Sequence, residues 1–180
     1  MDMALENLLK ELTSGNKKRR DEAVLCLAML LEKHSSRPDK QSNYELILPA
    51  SLHSLSLSSE DQQAIIERLG DLIESKEMLP SMLWALGKTT NSAAVLPLLR
   101  FINQHFQEAD DDAIWQALIA IENFLVFDSN NQLRDEVVDY LNTENPLRSF
   151  TEIGKRQNPD IVKLSNRVIT KVAKSLEQQR

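Results

Sequence analysis

An acidic helix start that carries a tryptophan is the first candidate for chemistry in this sequence. The segment EADDDAIWQAL, residues 108–118, combines three consecutive aspartates with Trp115. Carboxylates in the first turn of a helix complement its positive dipole end, so capping accounts for at least one of them. An aromatic side chain with acidic neighbours can also anchor a basic surface of another protein. Asp111, Asp112 and Trp115 are therefore candidate protein-binding residues.

A basic run, KKRR at residues 17–20, is the second candidate. Positive charges at the start of a helix oppose the helix dipole, so local helix stability does not account for the run. Arg19 and Arg20 are candidate contacts for an acidic partner or a phosphate. Solvated basic runs of this length are also common on helical surfaces, and the sequence leaves both interpretations open.

Residues that catalyse reactions or hold metals are scattered along the chain. His34, His53 and His105 lie far apart and form no spaced ligand pair. Cys26 has Glu22 one turn away, where a carboxylate opposes the thiolate, so we interpret it as a buried structural thiol. We find no glycine-rich phosphate loop, Ser-His-Asp set or nucleophile motif. The pattern favours a binding protein over an enzyme, with no catalytic residue, metal or cofactor.

Composition and charge favour a helical protein of the cell interior. Glycine occurs only four times among 180 residues, while Leu, Ala, Glu and Gln are plentiful, which favours helix. The formal net charge of -6 argues against a nucleic-acid partner. One cysteine, an acidic helical N-terminus in place of a signal peptide, and the lack of a long apolar stretch predict a cytoplasmic location without membrane contact.

The apolar periodicity predicts an all-α fold. A first helix ends near Gly15, and a second one, centred on Leu27, forms a hairpin with it. The segment 34–43 has no apolar residue and contains Pro38, so we predict a flexible loop there. A broken stretch is expected around Pro146 and Gly154. The remaining helices are predicted at about 44–56, 59–75, 77–88, 92–107, 111–127, 131–142 and 159–177.

Four of these helices share one template. Ala85 and Ala120 lie 35 residues apart, and each is followed by a large apolar residue. Cys26 and Val168 occupy the same place in the second and the last helix. A residue suited to N-capping precedes each of the four helices, namely Asn16, Ser75, Asp110 and Asn158. Helical hairpins that are apolar on two faces bury both faces only by stacking on neighbours.

Three segments resemble HEAT repeats: LWALGKTTNSAAVLPLL (83–99), NPDIVKLSNRVI (158–169) and GNKKRRDEAVLCLAML (15–30). The likeness is to the short armadillo-like repeats also seen in phycobilisome lyase subunits. It implies an α-α superhelix of helical hairpins, an α-solenoid, that forms a single domain over residues 1–180. The chain departs from the family pattern because only Arg20 occupies the place of the usual arginine early in the second helix. An extra helix at about 44–56 is expected to interrupt the array.

The resemblance implies a scaffold or adaptor that binds another protein along the second helices of its hairpins. Asp111, Asp112 and Trp115 are expected at the centre of that surface, with Arg19 and Arg20 at one end. Two other roles stay open from the resemblance, a bilin lyase or phycobilisome-associated subunit and a HEAT-like DNA glycosylase. The glycosylase would need a basic concave face and aromatic residues around an extruded base. The net charge of -6 and the presence of only two tryptophans count against it.

Overall fold

The computed structural model describes residues 2–35, 44–74, 79–127, 135–144 and 146–178. These residues form α-helices and short 3-10 turns without any β-strand, which confirms the all-α prediction for this part of the chain. None of the described helices is both long and apolar enough to cross a membrane. The helices are α1 Met3–Glu11, α2 Lys17–Lys33, α3 Tyr44–Ile47, α4 Ser59–Glu74, α5 Leu79–Leu86, α6 Val95–His105, α7 Asp111–Phe127, α8 Asp135–Thr143, α9 Leu147–Ile153 and α10 Pro159–Gln178.

The chain forms two compact units, of which the first is Met1–Asn91. Within it α1 packs on α2, α4 packs on α5, and α2 and α5 lie side by side. The segment after α3 is fastened to the end of α2, because Lys33 Nζ donates hydrogen bonds to the carbonyl oxygens of His53 (2.6 Å) and Leu55 (3.0 Å). The core of this unit includes Leu5, Leu27, Leu30, Ile65, Leu69, Leu83 and Ala85.

The second unit is Ser92–Arg180 and repeats this packing order. Here α6 packs on α7, α9 packs on α10, and α7 and α10 lie side by side, while α8 and α9 also contact α6. Its core includes Phe101, Ile114, Leu118, Ile121, Phe150, Leu164 and Val168. The prediction that residues 1–180 form one domain stays a prediction.

The predicted N-caps are confirmed wherever the structure describes them. Asn16 Oδ1 accepts from the amide of Arg19 at 3.4 Å, and Asp110 Oδ1 accepts from the amide of Ala113 at 2.7 Å. Asn158 Oδ1 accepts two amides of the first turn of α10, at 3.1 and 3.4 Å. Each cap satisfies amides that have no partner within their own helix. Ser75, the fourth predicted cap, lies outside the described residues.

Some predicted boundaries differ from those observed, and prolines explain most of the differences. The helix expected at 44–56 is a short α3 followed by a 3-10 turn, Ala50–Leu52, since Pro49 has no amide to continue an α-helical bond. The stretch expected to be broken contains α9, which begins directly after Pro146 and ends directly before Gly154. Residues 36–43 of the predicted loop, and 131–134 of the helix predicted at 131–142, lie outside the described residues.

The shared template corresponds to core positions in both units. Cys26, Ala85, Ala120 and Val168 are all buried, and so are the large residues that follow the first three of them. Ile169, which follows Val168, is half-buried. The repeat of small and large apolar residues therefore marks the side of each helix that contacts its neighbours.

Candidate protein-binding surface

Trp115 lies on the side of α7 that the core does not cover. The residues before and after it in the helix, from Ala113 to Ile121, alternate between buried and partly exposed positions with helical spacing. Ile114 and Leu118 are completely buried, whereas Trp115 is 36% exposed and Asp112 is exposed. Ile119, one turn after Trp115, is half-buried. Two of the predicted binding residues, Asp112 and Trp115, thus lie at the surface.

Asp111, the third predicted residue of this group, is engaged within the chain. Its two carboxylate oxygens accept from Arg156 Nη1 at 2.5 Å and from Asn158 Nδ2 at 3.1 Å. Arg156 also donates to the carbonyl oxygens of Phe106 (2.7 Å) and Ala109 (2.9 Å). The hydrogen bond from Arg156 is the larger cause of the lowered pKa of Asp111, and the hydrogen bond from Asn158 lowers that pKa further. Asp111 therefore holds the α6–α7 turn against the α9–α10 turn, whereas Asp112 makes no ion pair within the described part of the chain.

A row of cations runs along α10 beside these residues. Lys163, Arg167, Lys171 and Lys174 follow one another at intervals of four, four and three residues, so they share one side of the helix. All four are at least partly exposed. This row is not among the predicted binding residues, because the repeat template of α10 describes only its buried positions. The helical spacing of the four cations was the signal that could have revealed it.

Glu122 of α7 pairs with the middle of this row. Arg167 donates to both of its oxygens, at 2.9 and 3.0 Å, and Lys171 Nζ donates at 2.8 Å. The Glu122 side chain is only 13% exposed. Its hydrogen bond from Arg167, helped by Lys171, outweighs the desolvation cost and lowers the pKa of Glu122 from 4.5 to about 2. Glu122 is therefore ionised over the physiological pH range and fixes α7 to α10.

The contacts of Asp111 and Glu122 define the direction of α7 relative to α10. The start of α7, at Asp111, meets the start of α10, at Asn158, and Glu122 meets Arg167 farther along both helices. The helices therefore run in the same direction. Trp115 comes one turn after Asp111, which places it level with Lys163. We define the α7/α10 surface as six residues that are all at least partly exposed: Trp115, Ile119, Lys163, Arg167, Lys171 and Lys174.

The first unit has a corresponding groove between α2 and α5. It has a volume of about 630 Å³ and is lined by Lys17, Asp21, Val24, Leu25, Ser81 and Trp84. Leu25 is 38% exposed, and Lys88 Nζ lies 4.9 Å from the centre of the half-buried Trp84 ring. Leu25 and Trp84 each precede the small residue of the template, as Ile119 and Arg167 do in the second unit. This template position lies on the uncovered side of all four helices.

Arg19 and Arg20 lie in the first unit, at the start of α2. Arg19 Nη1 is 3.5 Å from Glu11 Oε1, and most of its side chain is exposed. Arg20 Nη1 donates to the carbonyl oxygen of Ser14 at 2.6 Å, so its guanidinium holds the α1–α2 turn. That contact gives Arg20 a structural role and leaves Arg19 as the more accessible cation. Their participation with Trp115 in one binding surface stays a prediction.

Cys26 lines a second groove of the first unit, between α1, α2 and the segment around Pro49. The groove has a volume of about 710 Å³. Cys26 is only 8% exposed, which confirms the prediction of a buried thiol. Burial is the larger cause of the raised pKa of the thiol, and the negative charge of Glu22 raises it further. The thiolate is therefore disfavoured at neutral pH.

The three histidines make local contacts. His34 Nε2 accepts from the amide of Leu57 at 3.2 Å, His53 Nε2 lies 2.8 Å from the carbonyl oxygen of Leu48, and His105 Nδ1 lies 2.9 Å from Glu108 Oε1. No group of three or more potential ligands in the described ranges is arranged to hold a metal ion.

Comparison with known proteins adds no relative. No protein-family model matches the chain, and a search of the curated proteins finds no significant match.

Proposed function

We propose that this chain is a non-enzymatic scaffold or adaptor of the HEAT-like kind, which binds another protein along the second helices of its hairpins. The packing order supports this proposal. In each unit consecutive helices pack as pairs, α1 with α2 and α4 with α5 in the first, α6 with α7 and α9 with α10 in the second. Within each unit the second member of the first pair lies beside the second member of the other pair, α2 beside α5 and α7 beside α10. A solenoid of helical hairpins is built in this way.

The observation that carries the proposal is the apolar character of the uncovered sides of three second helices, α2, α5 and α7. Leu25 and Trp84 line a groove in the first unit, and Trp115 and Ile119 reach the surface in the second. Large apolar and aromatic side chains that recur at one structural position are typical of surfaces that bind other proteins. The first helices of the second unit, α6 and α9, expose the charged residues Arg100 and Arg148.

Site-specific photocrosslinking tests this proposal. A benzophenone amino acid is placed at Leu25 or Ile119, on second helices, and at Arg100 or Arg148, on first helices, as matched controls. In the native cell extract we expect the second-helix positions to crosslink to the same partner protein, and the control positions to crosslink to it weakly or not at all. Crosslinks that arise mainly from Arg100 and Arg148 would place the binding surface on the first helices instead.

A substitution of Trp115 gives the quantitative form of the test. Trp115→Ala should weaken binding of that partner by about 2 kcal/mol, because aromatic residues at interface centres carry a large share of the affinity. It should cost less than this in folding stability, since the ring is partly exposed. Ile114→Ala, the neighbouring control, should cost roughly 2–4 kcal/mol in stability because that side chain is fully buried. Strong destabilisation by Trp115→Ala, with unchanged binding by the folded fraction, would make Trp115 a core residue.

A further inference from the structure

We propose that the α7/α10 surface binds an acidic amphipathic helix of a partner protein. The carboxylates of that helix would lie along the cations of α10, and its apolar side chains would pack on Trp115 and Ile119. This inference rests on the proposed function, because it names the chemistry of the partner that the scaffold holds.

The local charge differs in sign from that of the whole chain. The formal net charge is -6, yet the four cations of the α10 row outnumber the carboxylates beside them, which are Glu122 of α7 and, three residues before and after the row, Asp160 and Glu177. Glu122 contacts only the two middle cations, Arg167 and Lys171. Within the described ranges, no carboxylate lies at ion-pair distance from Lys163 or Lys174, and both side chains are exposed. The cations of Lys163 and Lys174 are thus available to the carboxylates of a partner, with Asp160 and Glu177 beyond them at the two ends of the row.

The spacing of the cations fits a helical partner. Intervals of four, four and three residues spread the row over about 16 Å of helix axis. A second helix that carries Asp or Glu at the same intervals offers its carboxylates in matching steps. Complementary rows of this kind set the orientation of a partner and speed its association.

The apolar residues beside the row favour an amphipathic segment over a purely charged one. Trp115 lies level with Lys163, and Ile119 follows one turn later. A polyanion such as nucleic acid would leave these side chains without apolar contact.

Selection from a random helical-peptide library tests the proposal. The library is panned against the wild-type protein and against the double variant Lys163→Glu/Lys174→Glu. We expect peptides enriched on the wild type to carry Asp or Glu at intervals of three or four residues, next to apolar residues. Their affinity should fall at least about tenfold on the double variant and weaken with added salt, as interactions between charged surfaces do.

Two further variants separate a local row from general charge. Arg100→Glu/Arg148→Glu makes the same change in net charge on first helices of the same unit, and it should leave peptide affinity within about twofold of the wild type. Glu122→Gln removes the carboxylate that pairs with Arg167 and Lys171 and should tighten binding severalfold, although it destabilises the fold. Circular dichroism of each variant checks that it is folded.

Other outcomes would contradict either the acidic partner alone or the binding function as well. Enriched peptides that are not acidic, but that lose affinity with Trp115→Ala, would refute the acidic partner and leave the proposed binding function standing. A failure to enrich any peptide that depends on Trp115, Leu25 or Trp84 would refute both. Tighter binding of a 20-base-pair duplex DNA probe than of any peptide would refute the protein partner. A dimer in sedimentation that Lys163→Glu/Lys174→Glu abolishes would assign the surface to a second copy instead.

Discussion

At the scale of single residues, Glu122 links stability to pH. Its pKa is lowered from 4.5 to about 2 in the folded chain, so the stability that it contributes is fully present above about pH 4.5. That contribution is lost as the pH falls from 4.5 towards 2, because protonation of Glu122 removes the negative charge that pairs with Arg167 and Lys171.

We therefore expect Glu122→Gln to lower the free energy of unfolding by roughly 1–2 kcal/mol at pH 7, with allowance for the solvent around Arg167. The difference from the wild type should shrink below pH 4.5. Urea denaturation at several pH values measures it. Glu152→Gln, which removes an exposed pair with Lys155, serves as the control and should cost less than about 0.5 kcal/mol. A cost for Glu122→Gln that does not change with pH would contradict the ion-pair explanation.

Cys26 gives a second prediction at this scale. Burial and the charge of Glu22 both raise the pKa of its thiol, so a disulfide reagent at pH 8 should react with the native protein on the order of a hundredfold more slowly than with the denatured one. Glu22→Gln should speed the native reaction, since it removes one of the two causes. Glu60→Gln, on α4, should not. Equal rates for the native and denatured protein would show that the thiol is open to solvent.

The role of Asp111 shows what single residues reveal before a structure is known. The helix-dipole argument placed it correctly at the start of a helix, because that argument needs only local sequence. Its partner Arg156 stands 45 residues later, and no local pattern relates the two. The cations of α10, by contrast, were readable from spacing within one helix. A contact between residues far apart in the sequence can be predicted only once the fold is known, whereas a row of charges within one helix can be predicted from the sequence.

At the scale of elements, Arg156 connects two turns. It serves three acceptors, which are Asp111 and the carbonyl oxygens of Phe106 and Ala109. Arg156→Ala should cost roughly 1–3 kcal/mol, because two partly buried carbonyl groups lose their donor. Arg156→Lys should recover only part of this loss, since an ammonium group lacks the planar fork that reaches several acceptors. Lys155→Ala is the neighbouring control.

Thermal and urea denaturation of these three variants measure the effect. An Arg156→Ala protein as stable as the Lys155→Ala control would show that water replaces the guanidinium without cost. A double variant with Asp111→Ala separates the ion pair from the two carbonyl contacts, because the coupling between the two substitutions reports the pair alone.

The helices themselves were largely predictable from periodicity and caps. Asn16, Asp110 and Asn158 mark helix starts that the structure confirms, since capping depends on one side chain and the next few amides. A helix was not predicted where its apolar pattern is short. Helix α9 has only seven residues between Pro146 and Gly154, too few for a clear apolar period, and the two flanking residues were interpreted as breaks.

At the scale of the whole molecule, the prediction of a single domain has a direct test. Leu118→Asp places a charge at a fully buried position of α7 and should cost several kcal/mol, on the order of the whole stability of a small domain. If residues 1–180 unfold as one domain, hydrogen exchange should show lost protection in Met1–Asn91 as well as in Ser92–Arg180. Gln116→Asp, at a half-buried polar position, is the control. Loss confined to Ser92–Arg180 would show that the units unfold separately.

The repeat template predicted the core of each unit, but it could not predict the surface chemistry. Small and large apolar residues recur because every hairpin must pack on its neighbours in the same manner. The position that precedes the small residue is uncovered and carries Leu25, Trp84, Ile119 and Arg167 in turn. Packing does not restrict the residue type there, so this position can differ from helix to helix and adapt to a partner.

The two bridges between α7 and α10 also determine how this pair of helices can move. Asp111 and Glu122 hold the pair at points 11 residues apart, and a slide of one turn, about 5.4 Å, would break both bridges at once. Trp115 and the α10 row therefore keep a fixed spacing before any partner arrives. A helix that binds there loses its own conformational freedom, but little ordering of the scaffold adds to that entropy cost. We expect such a rigid surface to select partners by the spacing of their charges, and to reject close variants that a pliable surface would accept.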